Sequence, residues 1–394
     1  MGPGGRRRRR GGAGRACPPV LRSAVRRGGS DPPRPPCPPC GGDARMSTAA
    51  RRFAVVSVIV PCRNEERYIA RCLDSILASD YPRERLEVLV VDGQSDDRTR
   101  AILDDYVSRQ PIIRVLDNPR RIQPVALNIG IRASRGEILL RMDAHVVYPP
   151  NYISELVAAL ERTGADSVGG VLITVPGNQT PIGRAIAIAM SHPFGVGNAY
   201  FRIGSRQPRW VDTIAFFCCR RETFERVGLF DEQLARDEDS EFNARLIKRG
   251  GRILLSPNVV SHYFARDSLS QVARMYYQYG YSKPLVARKV GAVMTARQLV
   301  PPAFVLLLAA TAALSPWVGL AGLLLGATAA AYLLVVLACS ITAGRHAGFR
   351  GAVALALVFP VMHVSYGLGF LRALGELLVG SERQARHAEL PLSR

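Results

Sequence analysis

The sequence predicts an α/β domain, with a mostly parallel sheet flanked by helices, followed by C-terminal transmembrane helices. Three observations carry this. Between residues 53 and 142, apolar strand-like runs alternate with helix-like repeats. Two of those runs lead directly into acidic residues, Asp92 and Asp143, which places both carboxylates at the carboxyl edge of one sheet. Residues 298–344 then hold 47 positions without one Asp, Glu, Lys or Arg.

Residues 54–60 read as a buried strand that Pro61 ends. Residues 65–77 place Ile69, Leu73, Ile76 and Leu77 at helical spacing. Strands at 86–91, 112–116 and 137–142 alternate with helices at 97–107 and 124–133. Such alternation means βαβ units, and so a parallel sheet covered on both faces. From about 165 to 236 the pattern is irregular, with Gly169, Gly170, Gly195, Gly197 and Gly204 suiting substrate loops. Residues 238–249 form a helix closed by Gly250 and Gly251, and 252–255 return to strand. Residues 269–286 are amphipathic and aromatic, with Tyr276, Tyr277, Tyr279 and Tyr281.

A crossing needs about 20 apolar residues, so 298–344 holds two, broken near Ser315 and Pro316. Residues 351–371 form a third uncharged run. Arg345, His346 and Arg350 assign the second loop to the cytoplasm, and Lys283, Arg288, Lys289 and Arg297 assign the residues before the first crossing there too. The expected organisation is a disordered leader at 1–52, a catalytic domain with an interfacial helix at 53–290, and a multi-pass region at 291–394. The catalytic domain faces the cytoplasm at the inner cell membrane, and three crossings put the C-terminus outside.

Lys plus Arg is 52 against 32 Asp plus Glu, a net +20. Residues 1–52 carry 13 Arg and only Asp31 and Asp43, so more than half of the excess sits in the leader. The leader lacks the apolar core of a secretory signal, and Met46 is an alternative start. No aromatic residues interleave with its arginines, which argues against nucleic acid and for a membrane or an anionic substrate. The eight cysteines show no disulfide framework; Cys37 and Cys40 have half of a zinc-ligand spacing with no second pair. A reduced, cytoplasmic setting follows.

Three acidic stations carry the chemistry. Asp92 enters the turn Gly93-Gln-Ser95, where a carboxylate can accept from a uracil imide or a ribose hydroxyl; the alternative is a local cap for the following helix. Asp143 and His145, two apart at a strand end, can both reach one cation, with Mn²⁺ suiting the mixed donors and Mg²⁺ preferring oxygen. The alternative is a polar turn. Asp237, Glu238, Asp239 and Glu241 crowd a helix start. Cap chemistry explains some of that, but crowded carboxylates raise one another's pKa, as a general base near neutrality requires. Arg245 can hold the helix or a neighbouring acid in place.

Val58-Ile-Val-Pro-Cys-Arg-Asn-Glu65, Val90-Val-Asp-Gly-Gln-Ser-Asp-Asp97, Arg141-Met-Asp-Ala-His145, Gly228-Leu-Phe-Asp-Glu232 and Glu238-Asp-Ser-Glu-Phe-Asn-Ala-Arg245 together resemble the family 2 glycosyltransferases of GT-A fold. The resemblance spans about residues 55–265 and is strongest to bacterial succinoglycan-type exopolysaccharide enzymes. It rests there on Asp-Ala-His, on Val211-Asp-Thr213 followed by 216–221, and on the Tyr-rich helix before a membrane region.

The resemblance implies that Pro61, Arg63, Glu65, Asp92, Ser95, Asn128 and Asp143 bind the sugar nucleotide. Asp143 and His145 occupy the Asp-x-Asp metal position, and Asp239, with Glu238 beside it, is the catalytic base. His145 departs from the usual Asp. Gln271 and Arg274 fall where processive synthases carry Gln-x-x-Arg-Trp, but Met275 replaces Trp, which points to an interfacial acceptor helix rather than processivity.

The expected activity is inverting transfer from a UDP-sugar, with glucose the first choice, to a polyprenyl-diphosphate-linked saccharide. A divalent metal, Mn²⁺ or Mg²⁺, assists. The alternatives are a processive polysaccharide synthase, transfer straight to a polyprenyl phosphate, and a non-enzymatic membrane adaptor.

Overall fold

The computed structural model describes residues 53–379, apart from 235, 292–294 and 346. The leader, with Cys17, Cys37 and Cys40, and the topology marker His346 lie outside the described residues.

Strands β1 (Val56–Cys62), β2 (Leu86–Asp92), β3 (Ile113–Asp117) and β4 (Ile138–Arg141) are parallel and ordered β3-β2-β1-β4. Helices α1 (Ile69–Leu77), α2 (Thr99–Arg109) and α3 (Gln123–Ala133) make the crossovers. The expected βαβ units are present. Side chains alternate across the central strand, so Val56, Val58 and Val60 pack on one face and Ile59 on the other. Both faces are covered, which explains why β1 is apolar throughout. On the second face α3 approaches so closely that a Cβ at Gly130 would stand 2.5 Å from Ile59 Cγ2.

Two boundaries shift. Pro61 does not end β1 but lies within it, opposite Val91; β4 pairs with β1 only as far as Ile59, so the missing N–H costs no bond on that side. The first helix starts at Ile69 rather than 65, because the N–H groups of residues 64–66 are bonded to Ser95, Thr99 and Asp97 after β2 instead.

The stretch that reads as irregular supplies strands that make the rest of the sheet mixed, with parallel and antiparallel pairs. Short β5 (Val146–Val147) precedes α4 (Tyr152–Thr163) and β6 (Ser167–Val175). Next come α5 (Pro181–Ala189), α6 (Pro193–Val196), α7 (Tyr200–Ile203), β7 (Arg209–Val211), β8 (Cys218–Arg220) and α8 (Arg221–Val227). Strand β8 is antiparallel to both β4 and β6. Helix α9 (Glu238–Lys248) leads to β9 (Ile253–Phe264), which is far longer than its four-residue apolar signal because Pro257 falls at an irregular pairing. The sheet order continues β4-β8-β6-β9-β5, with β7 on β9.

Helix α10 (Leu269–Val290) carries the tyrosines and packs along α13 (Gly348–Leu378). The two backbones touch through glycines: a Cβ at Gly280 would fall on Tyr366 O, and one at Gly369 on Tyr277 O. Helices α11 (Ala296–Leu314) and α12 (Gly319–Gly344) divide at the expected break. All three of α11, α12 and α13 are long and apolar enough to cross a membrane. Leu306, Leu323 and Leu334 stand out from the protein, as lipid-facing side chains do.

Candidate active site

Parallel pairing brings the ends of β1, β2 and β4 to one edge, with Cys62 opposite Asp92 and Ile59 opposite Arg141. The loops after β1 and β2 are stitched together there. Asn64 and Asp96 exchange bonds of 2.8 and 3.0 Å, and Thr99 Oγ1 accepts from Glu65 N at 2.8 Å. Asn64 and Gln94 take left-handed backbone conformations, a strain that this stitching holds in place.

Asp92 is only 2 % exposed, and its Oδ1 accepts from Ser95 Oγ at 2.6 Å. Asp92 and Ser95 line neither of the two cavities at this edge; the neighbouring Gly93 lines the smaller one. The local-turn alternative therefore accounts for this pair's contacts, and the turn carries Gly93 to the wall. Pro61, Arg63 and Glu65 line the same cavity, of about 100 Å³, together with Asn118 and Arg121.

A second cavity of about 590 Å³ opens beside it, and the two meet at Gln123, Asp143, His145, Arg236 and Arg266. Asp143 is held by a guanidinium fork: Arg141 Nε donates to Oδ1 at 2.8 Å and Nη2 to Oδ2 at 3.2 Å. Arg141 Nη1 reaches on to Glu238 Oε1 at 3.0 Å. Burial opposes the Arg141 charge, but Asp143 and Glu238 outweigh it and raise its pKa. His145 Nδ1 lies 3.1 Å from Glu65 Oε1, which orients the ring at the junction.

Helix α9 is seated by Phe242, which stacks on Phe224 at 5.0 Å and meets Phe230 at 4.9 Å. Glu241 and Arg245 pair through two bonds of 2.7 Å, and Arg245 also donates to the Leu229 carbonyl. These contacts fix the start of the helix, where Glu238 and Asp239 face the larger cavity. Asp237 takes a left-handed conformation and accepts from Lys283 Nζ on α10 at 2.8 Å. Burial, then Glu238 and Asp237, push the Asp239 carboxyl up to about 7. A carboxylate that holds its proton near neutrality suits general-base work.

Three expected site residues stand elsewhere. Asn128 lines neither cavity, because its amide is spent on the chain after α8: Nδ2 donates to Phe230 O and Glu232 Oε1, and Oδ1 accepts from Phe230 N, all at 2.9 Å. Gln271 and Arg274 also line neither cavity. Gln271 belongs to the first turn of α10, its N–H donating to Ser268 Oγ, and Arg274 is exposed. The same helix instead presents Tyr276, Tyr279 and Lys283 to the larger cavity. Arg141, Arg236, Arg266 and Arg202 are site residues that sequence reasoning missed. Only Arg141 had a signal, as a charge within an apolar strand next to Asp143.

The Glycosyl transferase family 2 model matches residues 57–232. The succinoglycan biosynthesis protein ExoA of Rhizobium meliloti is 32 % identical over 320 residues, covering 80 % of this chain and 94 % of that one. The chain belongs to glycosyl transferase family 2. This glycosyltransferase is also 27 % identical, over 59 % of its length and 74 % of the relative's, to the dolichyl N-acetyl-alpha-D-glucosaminyl phosphate 3-beta-D-2,3-diacetamido-2,3-dideoxy-beta-D-glucuronosyltransferase of Methanococcus voltae. In fold it is similar to the Pyrobaculum calidifontis mannosyltransferase PcManGT, solved with GDP-Man and Mn²⁺. That match has a TM-score of 0.52 at 23 % identity, covering 82 % of this chain and 88 % of that one. The glycosyltransferase thus has the expected GT-A fold, with three C-terminal helices able to span a membrane.

Among the described residues no three His, Cys, Asp or Glu side chains gather as a metal cluster. Asp143 and His145 offer one oxygen and one nitrogen at the cavity junction. Two protein ligands fit a cation whose remaining positions are filled by water and a substrate diphosphate.

Proposed function

We propose that this glycosyltransferase moves a sugar, with inversion, from a UDP-sugar to a lipid-linked saccharide at the inner face of a membrane. Glucose is the first donor to test. One observation carries the reading: Asp143 and Asp239 line a single cavity that Phe304, Tyr332 and Met362 of the three apolar helices also line. A donor site and a hydrophobic approach for the acceptor therefore meet at a carboxylate poised near neutrality.

The nucleotide lies in the smaller cavity, with its diphosphate at the junction facing Arg236 and Arg266. Asp239 accepts the proton of an acceptor hydroxyl. That oxygen bonds to the anomeric carbon from the face opposite the phosphate, the anomeric C–O bond breaks, and UDP leaves with the electron pair. An α-linked donor yields a β-linkage. Arg141 holds Asp143 and Glu238 in register across the cleft. Asp143 and His145 would hold a divalent cation, Mn²⁺ or Mg²⁺, which when bound neutralises charge on the leaving diphosphate. Proximity and electrostatic positioning supply most of the acceleration.

Two relatives support this reading through their names: one acts in succinoglycan biosynthesis, the other on a dolichyl-linked sugar phosphate. The test incubates membranes containing the protein with radiolabelled sugar nucleotides and extracts the lipid fraction. Label in a lipid-linked product from one donor is expected. Label in no lipid product, with every donor tried, would remove the reading.

A further inference from the structure

The cations around the larger cavity are unequally neutralised. Arg141 is paired with Asp143 and Glu238, Lys283 with Asp237, and Arg297 with Asp212. Arg202, from α7, differs. The ionisable groups around it are Tyr263, Tyr276 and Tyr279, and its Nη1 is buried with no hydrogen-bond partner. Its Cζ stands 5.1 Å from the Tyr263 ring and 5.4 Å from that of Phe201. Aromatic faces favour a cation, and Tyr263 also hydrogen-bonds the guanidinium, but Nη1 stays unfilled and no carboxylate stands among these groups. An unpaired guanidinium in a low-dielectric wall is costly unless an anion completes it.

Two further features specify the anion. Arg202 lines the same cavity as Asp239, and Tyr279 has both within electrostatic reach. An anion bound at Arg202 would therefore share the cavity that Asp239 lines. The same cavity has apolar lining in Phe194, Phe304, Tyr332 and Met362. A cavity that combines a carboxylate, a cation with no carboxylate partner and an apolar wall matches a sugar, a phosphate and a hydrocarbon chain. We infer that Arg202 is an acceptor-binding residue, taking a phosphate of an isoprenoid-linked acceptor in a site separate from that of the donor diphosphate. This rests on the reading of a lipid-linked acceptor given above.

The test measures binding by the full chain in maltoside detergent, which brings no phosphate of its own. The probes are farnesyl diphosphate, farnesol and dioctanoyl phosphatidylglycerol. Wild type should bind farnesyl diphosphate best, and Arg202→Gln should weaken that binding about tenfold or more. Farnesol and UDP-glucose binding should change less than twofold. Arg202→Lys keeps the charge and loses the fork, so it should recover part of the loss. An unchanged farnesyl diphosphate affinity in Arg202→Gln would overturn the inference. So would equal competition by phosphatidylglycerol, which marks a bulk-lipid site, or a matching loss of UDP-glucose binding in both variants. A wild type that binds farnesyl diphosphate through Arg202 yet transfers no sugar would sink the proposed function and leave this site standing.

Discussion

Arg141 Nη1 donates to Glu238 Oε1 across 3.0 Å, joining the end of a parallel strand to a helix start 97 residues later in the chain. Its other two donors hold Asp143. One guanidinium thus links the proposed metal position to the carboxylate beside the proposed base. Arg141, Asp143 and Glu238 are 5, 6 and 3 % exposed, so the cluster lies well out of water.

Arg141→Gln leaves two buried carboxylates without a counter-charge. A loss of about 3–5 kcal/mol in stability is expected, read as a lowered midpoint in thermal unfolding of the detergent-solubilised protein. A midpoint equal to wild type would show that the fork contributes nothing net.

Asp239→Asn should lower kcat by roughly 10²–10⁴, while the affinity for UDP stays within twofold. In the free wild-type enzyme kcat/KM should rise with pH and level off above about 7, where Asp239 becomes ionised. A pH-independent rate over that range would contradict the assignment.

The same carboxyl makes a prediction about stability. Its folded pKa is raised to about 7, above the unfolded value near 3.9. The folded state therefore binds the proton more tightly than the unfolded chain. That contribution is complete below about pH 4 and disappears as pH rises through about 7. Asp239→Asn should accordingly raise the unfolding midpoint relative to wild type at pH 8, and by less at pH 4. The reverse order would mean that the carboxylate is stabilised in the fold.

Asp143→Ala should weaken Mn²⁺-dependent UDP binding by about tenfold or more, and His145→Asp should shift the preference toward Mg²⁺ by replacing nitrogen with oxygen. Calorimetric titration of each metal in the presence of UDP reads both. An unaltered titration in Asp143→Ala would place the cation elsewhere.

Gly280→Ala puts a methyl group onto the Tyr366 carbonyl, so α10 and α13 must separate. Overpacking of this kind costs about 1–3 kcal/mol. Because α10 carries Tyr276, Tyr279 and Lys283, the acceptor KM should rise while the donor KM holds. Equal effects on both substrates would show a general loss of fold instead.

The strand-and-helix order from β1 to β4, the break between α11 and α12, and the acidic helix start were legible because each is written locally. Apolar period, turn residues and absence of charge all act over a few neighbouring positions. The placement of Asp143, His145, Glu238 and Asp239 at a strand end and a helix start was legible for the same reason. Asp92 and Asn128 show the limit. Both are polar residues at plausible positions, and their bonds to Ser95 and Phe230 are evident only when the chain is folded. The antiparallel strands β7 and β8 are three residues each, too short for any period to register.

By itself the sequence determined the family, the parallel half of the sheet, the apolar helices and the carboxylates at its edge, since covalent order and local hydropathy suffice for those. Only the tertiary structure decided which charges neutralise one another. Arg141 found its carboxylates, Lys283 found Asp237 from 46 residues away, and Arg202 was left among tyrosines. Coulombic pairing falls with distance in space, and no rule of spacing along the chain predicts which cation finishes without a carboxylate.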